Sequence, residues 1–168
     1  METLLATLQE DLKQQFGDAI LAIEQDYDFP VIIVAKNQLK AVLSYLKDDE
    51  KHQYQFLTTL CGIHFPDNEQ DKEFCIMYQL HNLVANKRVR IKSFMPEHDV
   101  AIPTVTDLWL TANWMERQEY DFFGFDFVGH PNLKRILNMD EMNYFPMRKQ
   151  YPLEDLQRDD KNDKMFGR

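Results

Sequence analysis

The sequence predicts an α+β domain: a mostly antiparallel sheet with helices packed on it, followed by an extended C-terminal arm. Three observations predict this. Apolar residues recur at three- and four-residue steps in separate stretches. Short β-prone runs lie between them, in the order helix, two strands, helix, three strands, helix. Beyond residue 126 the periodicity stops and Pro131, Pro146 and Pro152 punctuate the chain. The expected division is an α+β core over residues 1–126 and a partner-binding arm over 127–168.

Residues 3–16 predict an amphipathic helix, with Leu4, Leu5, Leu8, Leu12 and Phe16 on one stripe and Gly17 as its stop. Residues 20–24 and 29–35 are β-prone runs separated by Gln25-Asp26-Tyr27-Asp28. Asn37 is the expected cap of a second helix whose stripe is Leu39, Val42, Leu43 and Leu46. Tyr54 to Phe65 predicts a third strand, closed by Pro66 and an acidic loop. Glu73–Leu83 and Arg88–Met95 read as a hairpin turning near Ala85-Asn86-Lys87. Arg88, Arg90 and Lys92 alternate with Val89 and Ile91, which places the second arm nearer an edge and the first near the centre. After Pro103 a longer helix is expected, capped by Thr104 with Asp107 or by Thr106, and ended by Gly124. Within 127–168 only a short turn at Asp140–Tyr144 is expected, and the tail alternates charge without apolar rhythm, as in a segment that lies along another protein.

At 168 residues the chain is long enough for one domain with a real core. A net charge of −9 argues against a nucleic-acid backbone or an anionic lipid surface as the main partner. Two cysteines, Cys61 and Cys75, are too few for a disulfide framework. The N-terminus carries Glu2, Glu10 and Asp11 and reads as neither signal nor transit peptide. No apolar stretch approaches a membrane span, so membrane association is expected only through partners.

The densest information lies between Trp114 and Leu137. Seven of the 21 aromatics fall between Trp109 and Phe127, so most of them should be core. From Glu116 to Asp126 there are four acids and one base. From Gly129 to Pro152 there are four bases, Lys134, Arg135, Arg148 and Lys149, against two acids. An acidic helix end and a basic arm complement each other, either within the fold or across an interface. Glu119 falls on the apolar stripe and must be paired or neutral. An ion pair with Arg135, Lys134 or Arg148 is favoured over a catalytic acid or base, because structural networks perturb carboxylates as active sites do. Glu116, Arg117 and Asp121 with His130 lack metal-site spacing, since Glu116 and Asp121 point to different sides of a helix. Cys61 and His64 point to opposite faces of a strand. No phosphate-binding glycine pattern and no nucleophile–base–acid set is visible. The expectation is no catalytic residue, no cofactor-binding residue and no metal ligand in this chain.

Three motifs then carry a resemblance: Glu116-Arg117-Gln118-Glu119-Tyr120-Asp121-Phe122-Phe123-Gly124, Gly129-His130-Pro131-Asn132-Leu133-Lys134-Arg135-Ile136-Leu137, and Pro146-Met147-Arg148-Lys149-Gln150-Tyr151-Pro152-Leu153. In this order they resemble the C-type subunit of bacterial NADH:quinone oxidoreductase, the small hydrophilic subunit family of respiratory complex I. Gln118, Lys134, Met147 and Gln150 depart from the family's usual residues. The chain ends soon after the motifs, which reads as a stand-alone subunit rather than a fusion with the larger quinone-site (D-type) subunit.

The resemblance implies a non-catalytic structural subunit in the peripheral arm. The assembly it implies passes electrons from NADH through FMN and iron–sulfur clusters, held by partner subunits, to quinone, coupled to proton translocation. It implies contact with the quinone-site subunit and the cluster-bearing (I-type) subunit, on the cytoplasmic side of the bacterial inner membrane. It marks Glu116, Arg117, Glu119, Asp121, His130, Lys134, Arg135, Arg148, Lys149 and Tyr151 as interface or ion-pair residues. Competing expectations are the equivalent subunit of a membrane-bound hydrogenase-type complex, a hydrolase built on Glu116, Glu119, Asp121 and His130, and an RNA-binding sheet disfavoured by the acidity.

Overall fold

A computed structural model describes residues 2–151, with side chains from residue 7; the expected charged tail at 152–168 lies outside the described residues. The elements are α1 (Glu2–Phe16), β1 (Ile20–Asp26), β2 (Phe29–Val34), α2 (Leu39–Asp48), β3 (Phe56–His64), β4 (Phe74–Asn82), β5 (Lys87–Met95), β6 (Ala101–Pro103), α3 (Ala112–Phe123) and β7 (Asp126–Val128). Five strands form one sheet in the order β1-β2-β5-β4-β3, and β6 and β7 form a small second sheet. Only the β2–β5 and β6–β7 pairs are parallel.

Strand alternation decides which face becomes the core. Phe74, Ile76, Tyr78 and Leu80 of β4 oppose Met95, Ser93, Ile91 and Val89 of β5, and all eight side chains are buried. Ile32 continues this face into β2, in register with Ile91. Leu8 and Leu12 of α1, the expected stripe of α2 and Ala112 and Phe123 of α3 join the same core cluster. The helices therefore cover one face. On the other, Ile33, Met77, Arg90, Lys92 and Phe94 stay half-buried.

Several local expectations hold. Gly17 follows α1 at φ +53°, a left-handed conformation cheap only for glycine. Gly124 ends α3 at φ +81°, and its amide donates to Tyr120 O at 2.9 Å. The hairpin turns over residues 83–86, with Asn86 left-handed and Asn82 Oδ1 accepting from the Ala85 amide.

Three expectations are corrected. Asn37 does not cap α2; it sits in a short 3₁₀ turn, and Gln38 precedes the helix without a side-chain cap. β5 is the middle strand, not near an edge, because β2 pairs with it in parallel from the far side. On the open face Arg90 sits 5.3 Å over the Phe29 ring and pairs with Asp26 at 3.0 Å, while Arg88 is exposed. The third correction concerns the helix expected after Pro103. α3 starts at Ala112, and residues 104–111 form turns. The Thr104 hydroxyl, expected as a cap, instead donates to Glu116 at 2.5 Å.

The expected division at 126/127 runs through β7, whose Phe127 is buried among Phe125 and the rest of the core. Ile102 opposite it is buried too, so the three-residue β6–β7 pair contributes to the core.

Candidate functional site: three buried carboxylates on one helix

α3 buries Glu116, Glu119 and Asp121 almost completely, at 0%, 2% and 0% exposure. A buried carboxylate must find donors or lose its charge. The three solve this differently.

Asp121 gathers donors. Its Oδ2 accepts the amides of Ile136 (3.0 Å), Leu137 (2.8 Å) and Asn138 (2.9 Å). Its Oδ1 accepts Arg135 at 2.7 Å and the Asn138 side chain at 3.0 Å. Burial pushes its pKa up, but the three amides and the guanidinium outweigh this and hold it well below the usual carboxylate range. Arg135 also donates to the carbonyls of Asp121, Met142 and Tyr144, and its guanidinium lies 5.2 Å over Phe145. Together with the contacts of Arg117, His130 and Arg148, this network holds residues 129–151 as a strap along α3.

Glu119 does not take the ion pair expected with Arg135, Lys134 or Arg148. Its Oε2 accepts the Gly62 amide of β3 at 2.6 Å, and Oε1 accepts Gln118 at 3.3 Å. With so few donors, burial dominates and raises its pKa to about 7. The physical reason is competition: Arg135 is saturated by Asp121 and carbonyls, and Arg148 lies over Phe74 and Phe145, each 4.9 Å away. Gly62 permits the approach. A Cβ there would collide with the Phe125 ring and come within 2.9 Å of Glu119 Oε2. Since β3 is an edge strand, Glu119 covers part of that edge with a carboxylate.

Glu116 accepts the Thr104 hydroxyl on Oε2 and the Val105 amide on Oε1 at 2.7 Å. Burial raises its pKa to about 7 against these two donors. It fastens the 104–106 turn to α3, which is why that turn is not helical.

The remaining marked residues are placed as follows. Arg117 donates to the carbonyls of Lys134 and Arg135 and stacks 5.2 Å from the Trp114 ring. His130 Nε2 lies 3.1 Å from Asn113 O, and its Nδ1 accepts the Asn132 amide, which shapes the Gly129-His130-Pro131 turn. Arg148 donates to Phe123 O at 2.7 Å and to Glu97 at 2.8 Å. The Lys149 amide donates to His64 Nδ1 at 2.9 Å, while its side chain is exposed. The Tyr151 ring sits 5.0 Å from Tyr144. The Lys134 side chain is exposed.

Most of the sequence-marked set therefore converges on one helix–strap seam, and its charges are largely consumed there. Sequence reasoning missed Thr104, Gly62, His64, Glu97 and Phe145 as members. A glycine inside an apolar strand run was the one local signal, because it marks close approach by another segment. Among the described residues no group of three or more histidines, cysteines, aspartates or glutamates is placed to hold a metal ion.

This seam falls inside a family match. The model of the respiratory-chain NADH dehydrogenase 30 kDa subunit matches residues 32–157, three quarters of the chain. The chain belongs to that family. The C-type subunit of NADH-quinone oxidoreductase from Citrifermentans bemidjiense is 38% identical, over 85% of this chain and 86% of that one. Its Geobacter sulfurreducens counterpart is 34% identical, with the same coverage of each. Among solved structures, a trypsin-resistant fragment of Nqo5 is similar at TM-score 0.65 and 28% identity, over 75% of this chain and 98% of the fragment. A chain of the membrane-bound sulfane sulfur reductase, an archaeal respiratory membrane complex, shares the fold at TM-score 0.72 and 19% identity, over 88% of this chain and 85% of that one.

As a 30 kDa-family chain, the protein is a subunit of respiratory NADH dehydrogenase, the NADH-quinone oxidoreductase. The match begins in β2, leaving α1 and β1 outside it, and contains all three carboxylates and the strap through Tyr151. No helix among the described residues is long and apolar enough to cross a membrane.

Proposed function

We propose that within NADH-quinone oxidoreductase this subunit is a non-catalytic brace. The observation that carries this reading is the fate of its charged motif. Asp121 accepts five hydrogen bonds from the strap, Glu119 covers a strand edge, Glu116 fastens a turn, and Arg117, Arg135 and Arg148 are tied to backbone carbonyls. Groups held this way fix geometry and are not presented to a substrate. Electron and quinone chemistry depend steeply on the placement of reacting partners, so a rigid brace supports turnover without touching the reacting atoms.

In this reading the partners are other subunits of the complex, chiefly the quinone-site (D-type) subunit and the cluster-bearing (I-type) subunit. FMN and iron–sulfur clusters reside in partner subunits, and this chain holds none. The complex couples electron transfer from NADH to quinone with proton translocation. The chain lies peripherally, on the cytoplasmic side of the bacterial inner membrane, reaching the bilayer only through the complex. Residues 129–151 form the partner-facing arm. Identity of 34–38% to C-type relatives favours this assembly over a related respiratory membrane complex; to the chain of the sulfane sulfur reductase the similarity extends to the fold alone.

Affinity purification of the tagged chain from membranes in mild detergent tests the reading. The expected result is co-purification of the quinone-site and cluster-bearing subunits together with NADH:quinone activity, and an isolated chain with neither flavin nor iron. An isolated chain that retains stoichiometric flavin or iron, or turns over a substrate alone, refutes the brace.

A further inference from the structure

The internal network leaves part of the α3–strap surface unused. Leu110, in the turn that leads into α3, is 88% exposed, and Trp114, in the first turn of α3, is 62% exposed. Arg117 follows one turn later, stacked on Trp114. The strap runs beside α3 in the same direction. His130 meets Asn113, the carbonyls of Lys134 and Arg135 meet Arg117, and the amides of residues 136–138 meet Asp121. Leu137 and Met139, 65% and 69% exposed, therefore extend the apolar line toward the C-terminal end of α3. Its helical part, from Ala112 to Asp121, is roughly 14 Å long at 1.5 Å per residue.

Two properties say what covers this line. The first is composition. Tryptophan and arginine dominate the energetic centres of protein interfaces, and monomers rarely leave contiguous apolar surface bare. The second is charge. The chain carries 28 acids, yet residues 108–118 and 127–139 contain a single carboxylate, Glu116, which is fully buried. Lys134 is exposed in the middle of the line and has no ion-pair partner among the described residues. Exposed Asp140 and Glu141 follow Met139 and bound the line at that end, so an acidic partner surface is accepted around Trp114 and Lys134 and repelled by most of the rest of the protein.

We propose that this line, centred on Trp114, is the docking surface for a neighbouring subunit of the same complex, which offers an apolar pocket rimmed by carboxylates. The proposal rests on the assembled-subunit reading and deepens it. It moves the contact from Arg148, whose guanidinium is committed inside the fold, to Trp114, Leu110 and Lys134.

The test replaces the native copy with tagged variants and measures recovery of the other subunits from detergent-extracted membranes. Leu110→Asp with Trp114→Asp should lower recovery roughly 10- to 30-fold, the loss of a hot-spot aromatic, while the melting temperature of the isolated chain stays unchanged. Lys134→Glu should lower recovery several-fold and Lys134→Arg should restore it. If the double variant melts lower, Lys134→Glu decides, since its side chain supports no packing. Full recovery with Lys134→Glu and with a normally folded double variant overturns the proposal. So does an isolated wild-type chain that dimerises through Trp114, which makes a second copy the occupant. A wild-type chain that brings down no other subunit instead sinks the assembly reading itself.

Discussion

Replacing Glu119 by glutamine should make the protein more stable at pH 8 and flatten its dependence on pH. Glutamine keeps an oxygen for the Gly62 amide but carries no charge, so it imitates the protonated carboxyl. Exposed Gln118 can turn its own amide to match. The wild-type group has a folded pKa of about 7 against an ordinary value of 4.5. Between these values the folded state binds the proton and the unfolded chain does not. Its contribution is therefore largest at low pH and is lost as pH rises through the folded pKa. From pH 5.5 to pH 8 this amounts to about 2 kcal/mol, and the full shift to roughly 3 kcal/mol. For a chain of this size the pH 5.5-to-8 part corresponds to about 4–8 °C in melting temperature.

The assay is thermal unfolding of the isolated wild-type and Glu119→Gln chains at both pH values. Burial lowers the pKa of His52 and of His64, which makes stability rise with pH and opposes the carboxylates. That effect is common to both proteins and cancels in the comparison. The variant should lose about half of the carboxylate-driven fall, since Glu116 keeps the other half. Identical pH dependence in the two chains refutes the claim that Glu119 is a desolvated, unpaired acid. A variant that is less stable at pH 8 points to an ion pair absent from the geometry described above.

Asp121→Ala breaks a buried ion pair and frees three strap amides, and should cost about 3–5 kcal/mol; hydrogen exchange at residues 136–138 should rise along with the fall in melting temperature, and protected amides there would contradict the account. Asp121's folded pKa is depressed, so its contribution should persist down to the ordinary carboxylate range and disappear only in stronger acid. Arg148→Ala should destabilise the isolated chain by on the order of 2 kcal/mol, because a charged donor to Phe123 O is lost; Lys149→Ala should change its melting temperature negligibly. Gly62→Ala should cost roughly 1–3 kcal/mol through overpacking against Phe125 and Glu119, and Glu119→Ala in the same chain should recover part of that loss.

The sequence marks Arg148 and Lys149 alike as interface or ion-pair residues, and the structure separates them. The two residues are adjacent and equally basic, and nothing local tells them apart. Only the folded chain sends one guanidinium between Phe74 and Phe145 and leaves the neighbouring ammonium in water. Thr104 shows the same limit differently. With Asp107 three residues on, it forms a capping signature, but Glu116 lies twelve residues away and takes the hydroxyl. Glu119 was legible as a buried acid from its stripe, whereas its partner, a glycine amide 57 residues earlier, was not.

What the sequence determined alone is what repeats locally. Helical steps of three and four residues specified α1 and α2, a β-prone run specified β3, and alternation specified β4 and the buried face of β5. The three closely spaced motifs, together, specified the family. Tertiary structure alone decided the rest: that β2 reaches β5 in parallel and makes it the centre of the sheet, that a three-residue strand pair joins the core, and which of several equivalent charges is paired. Those outcomes depend on which distant groups share a small buried volume, and that competition is settled by packing and desolvation across the whole domain rather than by the residues next in line.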